Sequence, residues 1–246
     1  LPEPSEYEII IAGVPERKYI TASPNLKTLI IPWSGLPVAT RKLMLEYPHI
    51  DVYNIHHNAV AAAETAVTLM MAAAKRTLSF DIALRKGDWR PRYDFDGSVP
   101  DGPLLLAGKT ALILGYGAIG SKIANICRGM GMKTIAVKVD IPQFSDGDIE
   151  IYSVKALKNL LPRTNVLFIC LPMTPETKGL IGRKELALLP DQSIVVNIAR
   201  GPVIDERALY EALSGTDKQG RHRLRAGLDV WYKYPRKEED RKNTAP

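Results

Sequence analysis

Ala111-Leu-Ile-Leu-Gly115-Tyr-Gly117-Ala-Ile-Gly120 decides the fold. Its apolar opening, Ala111 to Leu114, reads as a short buried strand, and Ile119 to Met130 reads as the helix that follows. Between them stand three glycines at the spacing GxGxxG. Alone that spacing is weak, but between a strand and a helix it marks a dinucleotide-binding turn. The three glycines do different things. Gly115 permits the tight turn, Gly117 lets the backbone approach a pyrophosphate, and Gly120 lets the helix pack close to the strand. The first turn of the helix, at Ala118 and Ile119, then offers unbonded N–H groups and a partial positive charge to the phosphates, with Tyr116 beside them. The competing reading is a glycine-rich turn without a ligand, which the strand–turn–helix context disfavours.

Working outward, strand and helix signals alternate. Lys133–Val139, Val166–Leu171, Ser193–Ile198 and Leu224–Val230 read as strands, and Val154–Leu161 and Glu206–Leu213 as helices. Such alternation predicts βαβ units and a parallel sheet. Upstream, Tyr7–Ala12, Lys27–Pro32 and Asp51–Ile55 read as strands and Val38–Glu46 as a helix. Asn58 to about Arg85 has neither Gly nor Pro and reads as a long Ala-rich helical segment. Gly87 to Pro103 is rich in Gly, Pro and Asp and reads as a loop.

Composition narrows the classes. A hydrophobic fraction of 46% with 24% charged residues is ordinary for a soluble globular chain. No apolar run reaches the roughly 18 residues of a membrane span. The net charge of +6 is scattered along the chain, which argues against nucleic acid and suits an anionic cofactor and an acidic substrate. Cys127 and Cys170 lie in apolar segments without metal-ligand spacing, so no metal is expected, and a reducing cytoplasm is the simple location.

With these segments placed, the chain resembles the D-isomer-specific 2-hydroxyacid dehydrogenases. Four stretches carry the likeness. The first is Leu112 to Gly120 with Gly131-Met-Lys-Thr-Ile135, and the second is Cys170-Leu-Pro-Met-Thr-Pro-Glu-Thr-Lys-Gly-Leu-Ile181. The third is Val196-Asn-Ile-Ala-Arg-Gly-Pro-Val-Ile-Asp205, and the fourth is Ala226-Gly-Leu-Asp-Val230. More loosely, Leu26 to Gly35 is similar to a family strand ending in a turn beside the substrate. The segment from Asn58 to Glu64 is similar to the start of the interdomain helix.

The resemblance implies an α/β protein: a Rossmann-like, doubly wound parallel sheet for the coenzyme and a partial flavodoxin-like substrate domain, with a cofactor cleft between them. We expect the substrate domain at 1–83, the coenzyme domain at 84–230, and a return toward the substrate domain starting at 231–246. Both ends look cut. The implied reaction moves a hydride between NAD(P) and a D-2-hydroxy or 2-oxo acid. Arg200 matches the catalytic arginine, whose forked, permanently charged donors suit a carboxylate. The Trp33-Ser34-Gly35 turn would offer backbone donors to the same substrate. Leu171, Pro172, Thr177, Ile198 and Ala199 match positions lining the cofactor, and Asp229 would meet the nicotinamide carboxamide. A homodimer is expected.

Cofactor choice stays open between two residues. Aligned from Gly131 to Ile135, Lys138 takes the place of the NAD-selecting acid, which favours NADP. Asp140, of the same strand parity, could bind the ribose instead and favour NAD. The catalytic pair is a departure. The family Glu position holds Tyr234, and no His of this chain has the family's context. His56 and His57 precede the interdomain helix and are weak candidates. Either the acid–base His lies beyond Pro246, or the protein is a catalytically impaired dinucleotide-sensing or regulatory relative. Asp205 is expected to cap the following helix.

Overall fold

A computed structural model describes residues 6–90, 102–138, 144–146, 149–216 and 222–235. The chain forms two compact units, Leu1–Val60 and Ala61–Pro246.

In the smaller unit, β1 (Ile9–Ile11), β2 (Thr28–Ile31) and β3 (Asp51–Asn54) pair in parallel in that order. The helices α1 (Arg17–Thr21) and α2 (Val38–Met44) connect them. Alternation along the strands sends Ile10, Leu29 and Ile31 into a core with Ile20, Leu26, Met44 and Ile50. Ile9, Ile11 and Tyr53 point the other way and are exposed.

The chain passes from one unit to the other within α3 (Ala59–Lys75). The long helical segment expected over 58–85 is divided into two helices. Arg76, in the left-handed conformation at φ 54°, separates α3 from α4 (Thr77–Arg85). The cause lies in hydrogen bonding. The Ala74 carbonyl accepts from the Leu104 N–H at 2.8 Å, and the Arg225 guanidinium donates to the carbonyls of Ala73 and Ala74. The acceptors of another turn are thus already engaged.

The larger unit is a sheet of seven strands in the order β10-β9-β8-β4-β5-β7-β6. These are β4 (Thr110–Leu114), β5 (Lys133–Lys138), β6 (Phe144–Asp146), β7 (Ile149–Ser153), β8 (Val166–Ile169), β9 (Ser193–Asn197) and β10 (Leu224–Leu228). All pairs are parallel except β6 with β7. One face packs on α3 and α5 (Ala118–Gly129) through Ala63, Met70, Ile123, Cys127 and Phe168. The other packs on α6 (Leu157–Leu160), α7 (Arg183–Leu188) and α8 (Glu206–Ser214) through Leu157, Leu186 and Leu209. Strands covered on both sides are mostly apolar, and the residues of β8 and β9 are all buried. The order reverses between β4 and β8. In such doubly wound sheets ligands bind at the carboxyl ends of the strands at this reversal.

Candidate functional site

The loop after β4 stands at that reversal. Gly115 has φ +107°, and a Cβ there would lie 2.8 Å from the Cys170 carbonyl oxygen at the end of β8. A Cβ on Gly120 would lie 2.1 Å from the Gly115 oxygen. Gly117 differs. Its φ of −117° suits any residue, and nothing lies within 4 Å of where its Cβ would stand. The fold therefore does not need a glycine there, but a phosphate drawn against the backbone would. No side chain caps α5 at Gly117, so the N–H groups at its start point outward from the exposed Gly117-Ala118 tip. Tyr116 and Ile119, half-buried, pack against the α3–α5 layer. The residues present fit a dinucleotide.

Lys138 ends β5 and is exposed. It follows Val137, whose carbonyl accepts the Gly115 N–H at 2.9 Å. Asp140, its competitor for the ribose, lies outside the described residues.

After β8 the chain turns through Leu171 and Pro172. The Thr177 hydroxyl, 6% exposed, donates to the Pro172 carbonyl at 2.7 Å and accepts the Thr174 N–H at 2.8 Å. Its bonds staple this loop, a part that its place in the motif does not reveal. Leu171 is buried and Pro172 exposed.

The loop after β9 carries Ile198, Ala199 and Arg200. Arg200 is exposed, with Nη1 donating to the Ala199 carbonyl at 2.6 Å. Its backbone is held on two sides. Asn197 donates through Nδ2 to the Arg200 carbonyl at 3.0 Å, and a Cβ on Gly201 would lie 2.5 Å from the Trp231 oxygen. Farther on, Gly179 and Ile181 donate to the carbonyls of Pro202 and Val203 at 2.8 and 3.2 Å, tying this loop to the one after β8. Asp205 caps α8, accepting from the Ala208 N–H at 2.7 Å. Asn197 is not among the residues that the sequence singles out. Its signal is a lone amide closing the otherwise apolar run Ile194 to Asn197, three residues before an arginine.

Past β10, Asp229 is exposed, and its N–H donates to the Asn197 carbonyl at 3.0 Å. Tyr234 uses its hydroxyl to accept the Trp231 N–H at 3.0 Å, bracing the turn that backs Gly201. In the smaller unit, the Ser34 carbonyl accepts from Asn54 Nδ2 at 2.8 Å in the Trp33-Ser34-Gly35 turn. The Trp33 ring covers Gly13, where a Cβ would lie 1.8 Å from Cη2. His56 and His57 are exposed. Among the described residues no group of His, Cys, Asp or Glu could hold a metal ion, and no helix is long and apolar enough to cross a membrane.

Residues 67–245 match the family model of the D-isomer specific 2-hydroxyacid dehydrogenase, NAD binding domain. The chain belongs to this family. It is 34% identical over 181 residues to a D-3-phosphoglycerate dehydrogenase of Methanocaldococcus jannaschii, covering 74% of this chain and 32% of that one. It is 33% identical over 219 residues to a glycerate dehydrogenase of Methylorubrum extorquens, covering 87% and 64%. The chain thus spans from 32% to 64% of the length of these curated relatives. Among solved structures, a D-isomer specific 2-hydroxyacid dehydrogenase from Xanthobacter autotrophicus, in complex with NADPH and MES, superposes with a TM-score of 0.75 at 25% identity, covering 97% of this chain and 71% of that one. A glyoxylate reductase from Paecilomyes thermophila gives 0.70 at 29% identity, covering 93% and 66%. The matched family model is that of an NAD-binding domain.

Proposed function

We propose that this protein transfers a hydride between a nicotinamide dinucleotide and C2 of a D-2-hydroxy or 2-oxo acid. The observation that carries the reading is Arg200. It is an exposed guanidinium on a doubly anchored loop at the carboxyl end of β9, two strands from the glycine loop in the order β9-β8-β4. When bound, the nicotinamide supplies or accepts the hydride. The chain does the rest. Backbone N–H groups after Gly117 hold the pyrophosphate. Leu171, Pro172, Thr177, Ile198 and Ala199 border the dinucleotide, and Asp229 accepts from the carboxamide. Arg200 binds the substrate carboxylate and polarises the C2 carbonyl. The Trp33-Ser34-Gly35 turn of the smaller unit offers backbone N–H groups that suit a carboxylate. The division of labour is substrate binding by residues 1–83 and coenzyme binding by 84–230, with the return segment beginning at 231.

Lys138 favours NADP(H). An ammonium attracts a 2′-phosphate where the usual carboxylate would repel it. Because Lys138 is exposed, solvent screening keeps the gain near the low end for a charged hydrogen bond, about 1.4 kcal/mol or tenfold. Paired dissociation constants for NADPH and NADH, on the native protein and on Lys138→Asp, check this. Equal or tighter NADH binding by the native protein contradicts it.

A second reading, a dinucleotide-sensing relative, is favoured by Tyr234. It stands where the family has a carboxylate, and its hydroxyl already accepts from Trp231. One experiment separates the two: NADPH oxidation with a panel of 2-oxo acids, beside Arg200→Ala. We expect turnover in the native protein, loss of at least about a thousandfold in the variant, and NADPH affinity nearly unchanged. Native protein that binds NADPH but reduces no acid supports the sensor. A cytoplasmic homodimer completes the proposal, and sedimentation velocity tests the dimer.

A further inference from the structure

Three residues with separate roles in that reading, Ala199, Arg200 and Asp229, are all bonded to Asn197. Its Oδ1 accepts the Ala199 N–H at 3.0 Å, its Nδ2 donates to the Arg200 carbonyl at 3.0 Å, and its own carbonyl accepts the Asp229 N–H at 3.0 Å. Asn197 is 1% exposed at the end of β9. A buried amide is costly unless both its ends are paired. Here both ends are paired, with the residues two and three further along its own chain, as a short-range side-chain turn where the strand ends.

The chemistry needs an amide in particular. A carboxylate could accept from Ala199 but has no donor for Arg200, and an apolar residue offers neither. The donor arm matters most because the guanidinium has so little else to fix it. It is exposed and, among the described residues, bonded to the neighbouring carbonyl of Ala199. The point from which it reaches the substrate is set by the backbone that carries it. That backbone is gripped between Nδ2 of Asn197 and the wall of Trp231 behind Gly201.

We propose that Asn197 is the positioning residue for Arg200, holding the backbone from which the guanidinium reaches the substrate. The inference rests on the role given to Arg200 under the proposed function. Displacing a substrate-binding group by about 1 Å costs on the order of a hundredfold in rate. Asn197→Ala should therefore lower kcat/KM for a 2-oxo acid by about 30- to 100-fold, with NADPH affinity within about threefold of native. A double-mutant cycle with Arg200→Lys tells positioning from general structural support. If Asn197 acts through Arg200, its removal costs little once Arg200 is already lysine. The same proteins, loaded with NADPH, are titrated with oxamate, which reads carboxylate binding without turnover. If Asn197→Ala does not fold, Asn197→Asp serves: it keeps the acceptor for Ala199 and removes the donor to Arg200.

Native turnover with an unchanged Asn197 variant, or costs that simply add in the cycle, overturns the inference and leaves the proposed function standing. Native oxamate binding without turnover, lost in the Asn197 variant, overturns the dehydrogenase reading and supports the positioning role. Neither turnover nor oxamate binding in the native protein overturns both.

Discussion

Gly117 and Gly120 belong to one loop but are glycines for different reasons. At Gly120 a methyl group would run into the Gly115 carbonyl oxygen, 2.1 Å away, so the fold itself excludes a side chain. At Gly117 the backbone is ordinary and the space is open, so only a bound ligand would exclude one. Gly120→Ala should therefore destabilise the protein by about 1–3 kcal/mol through forced backbone movement. Gly117→Ala should leave the unfolding midpoint nearly where it was but weaken NADPH binding at least about tenfold, by pushing the phosphates off the N–H groups. Thermal unfolding and a fluorescence titration on the two variants check this. A Gly117→Ala protein with native cofactor affinity would mean that the phosphates lie elsewhere. The GxGxxG spacing makes all three glycines legible in the sequence. It cannot separate these two causes, because one acts inside the fold and the other through a ligand. Thr177 is hard to read for a related reason: a motif position reveals that a residue matters, not which atoms its hydroxyl meets.

The strands of the larger unit are legible because both faces of the sheet are covered, which makes each strand a short apolar run between turns. Strand β7 escapes that pattern. Its alternation of Ile149, Glu150 and Ile151 marks a half-exposed strand near the sheet's edge, and its partly exposed positions dilute the signal. The break between α3 and α4 is beyond local reading because its cause is distant in sequence. Arg225, on β10, is 9% exposed. It donates to the carbonyls of Ala73, Ala74 and Gly102 and to Oε1 of Gln192, at 2.8–3.3 Å. One guanidinium thus ends α3, pins residue 102 and ties both to the sheet. Arg225→Met keeps much of the apolar stem but strands these acceptors, each costing about 1 kcal/mol or more once buried. We expect a loss of about 2–4 kcal/mol, or roughly 5–15 °C in Tm, with NADPH affinity below the transition unchanged. A Tm within a degree of native would show that water replaces the guanidinium at no cost.

For the molecule as a whole, the two cysteines give a readout of global stability. Cys127, buried, lies on α5, and Cys170, half-buried, follows β8 and packs against the same layer between the sheet and the α3–α5 helices. Burial pushes both thiols from the usual 9.0 up to about 12, and for Cys170 the proximity of Cys127 adds to it. In the unfolded chain they ionise near 9. Between pH 9 and 12 the native state therefore holds protons that the unfolded state releases, so stability falls as pH rises through this window and is fully present below it. Two consequences can be measured. At about pH 8 a disulfide reagent should leave the native protein untouched, since it needs an exposed thiolate, and should label both thiols together as urea unfolds the larger unit. Cofactor at a hundred times its Kd should deepen this protection by about 2.7 kcal/mol, because only the native state binds it. The urea midpoint should then decline from about pH 9 upward, and less steeply in the Cys127→Ala, Cys170→Ala double variant, which lacks the two ionisations. The difference between the two slopes, not the native slope, is decisive. Equal slopes would show that the thiols ionise alike in both states. Labelling of Cys170 alone at pH 8 would place a local opening beside Gly115, at the phosphate loop itself.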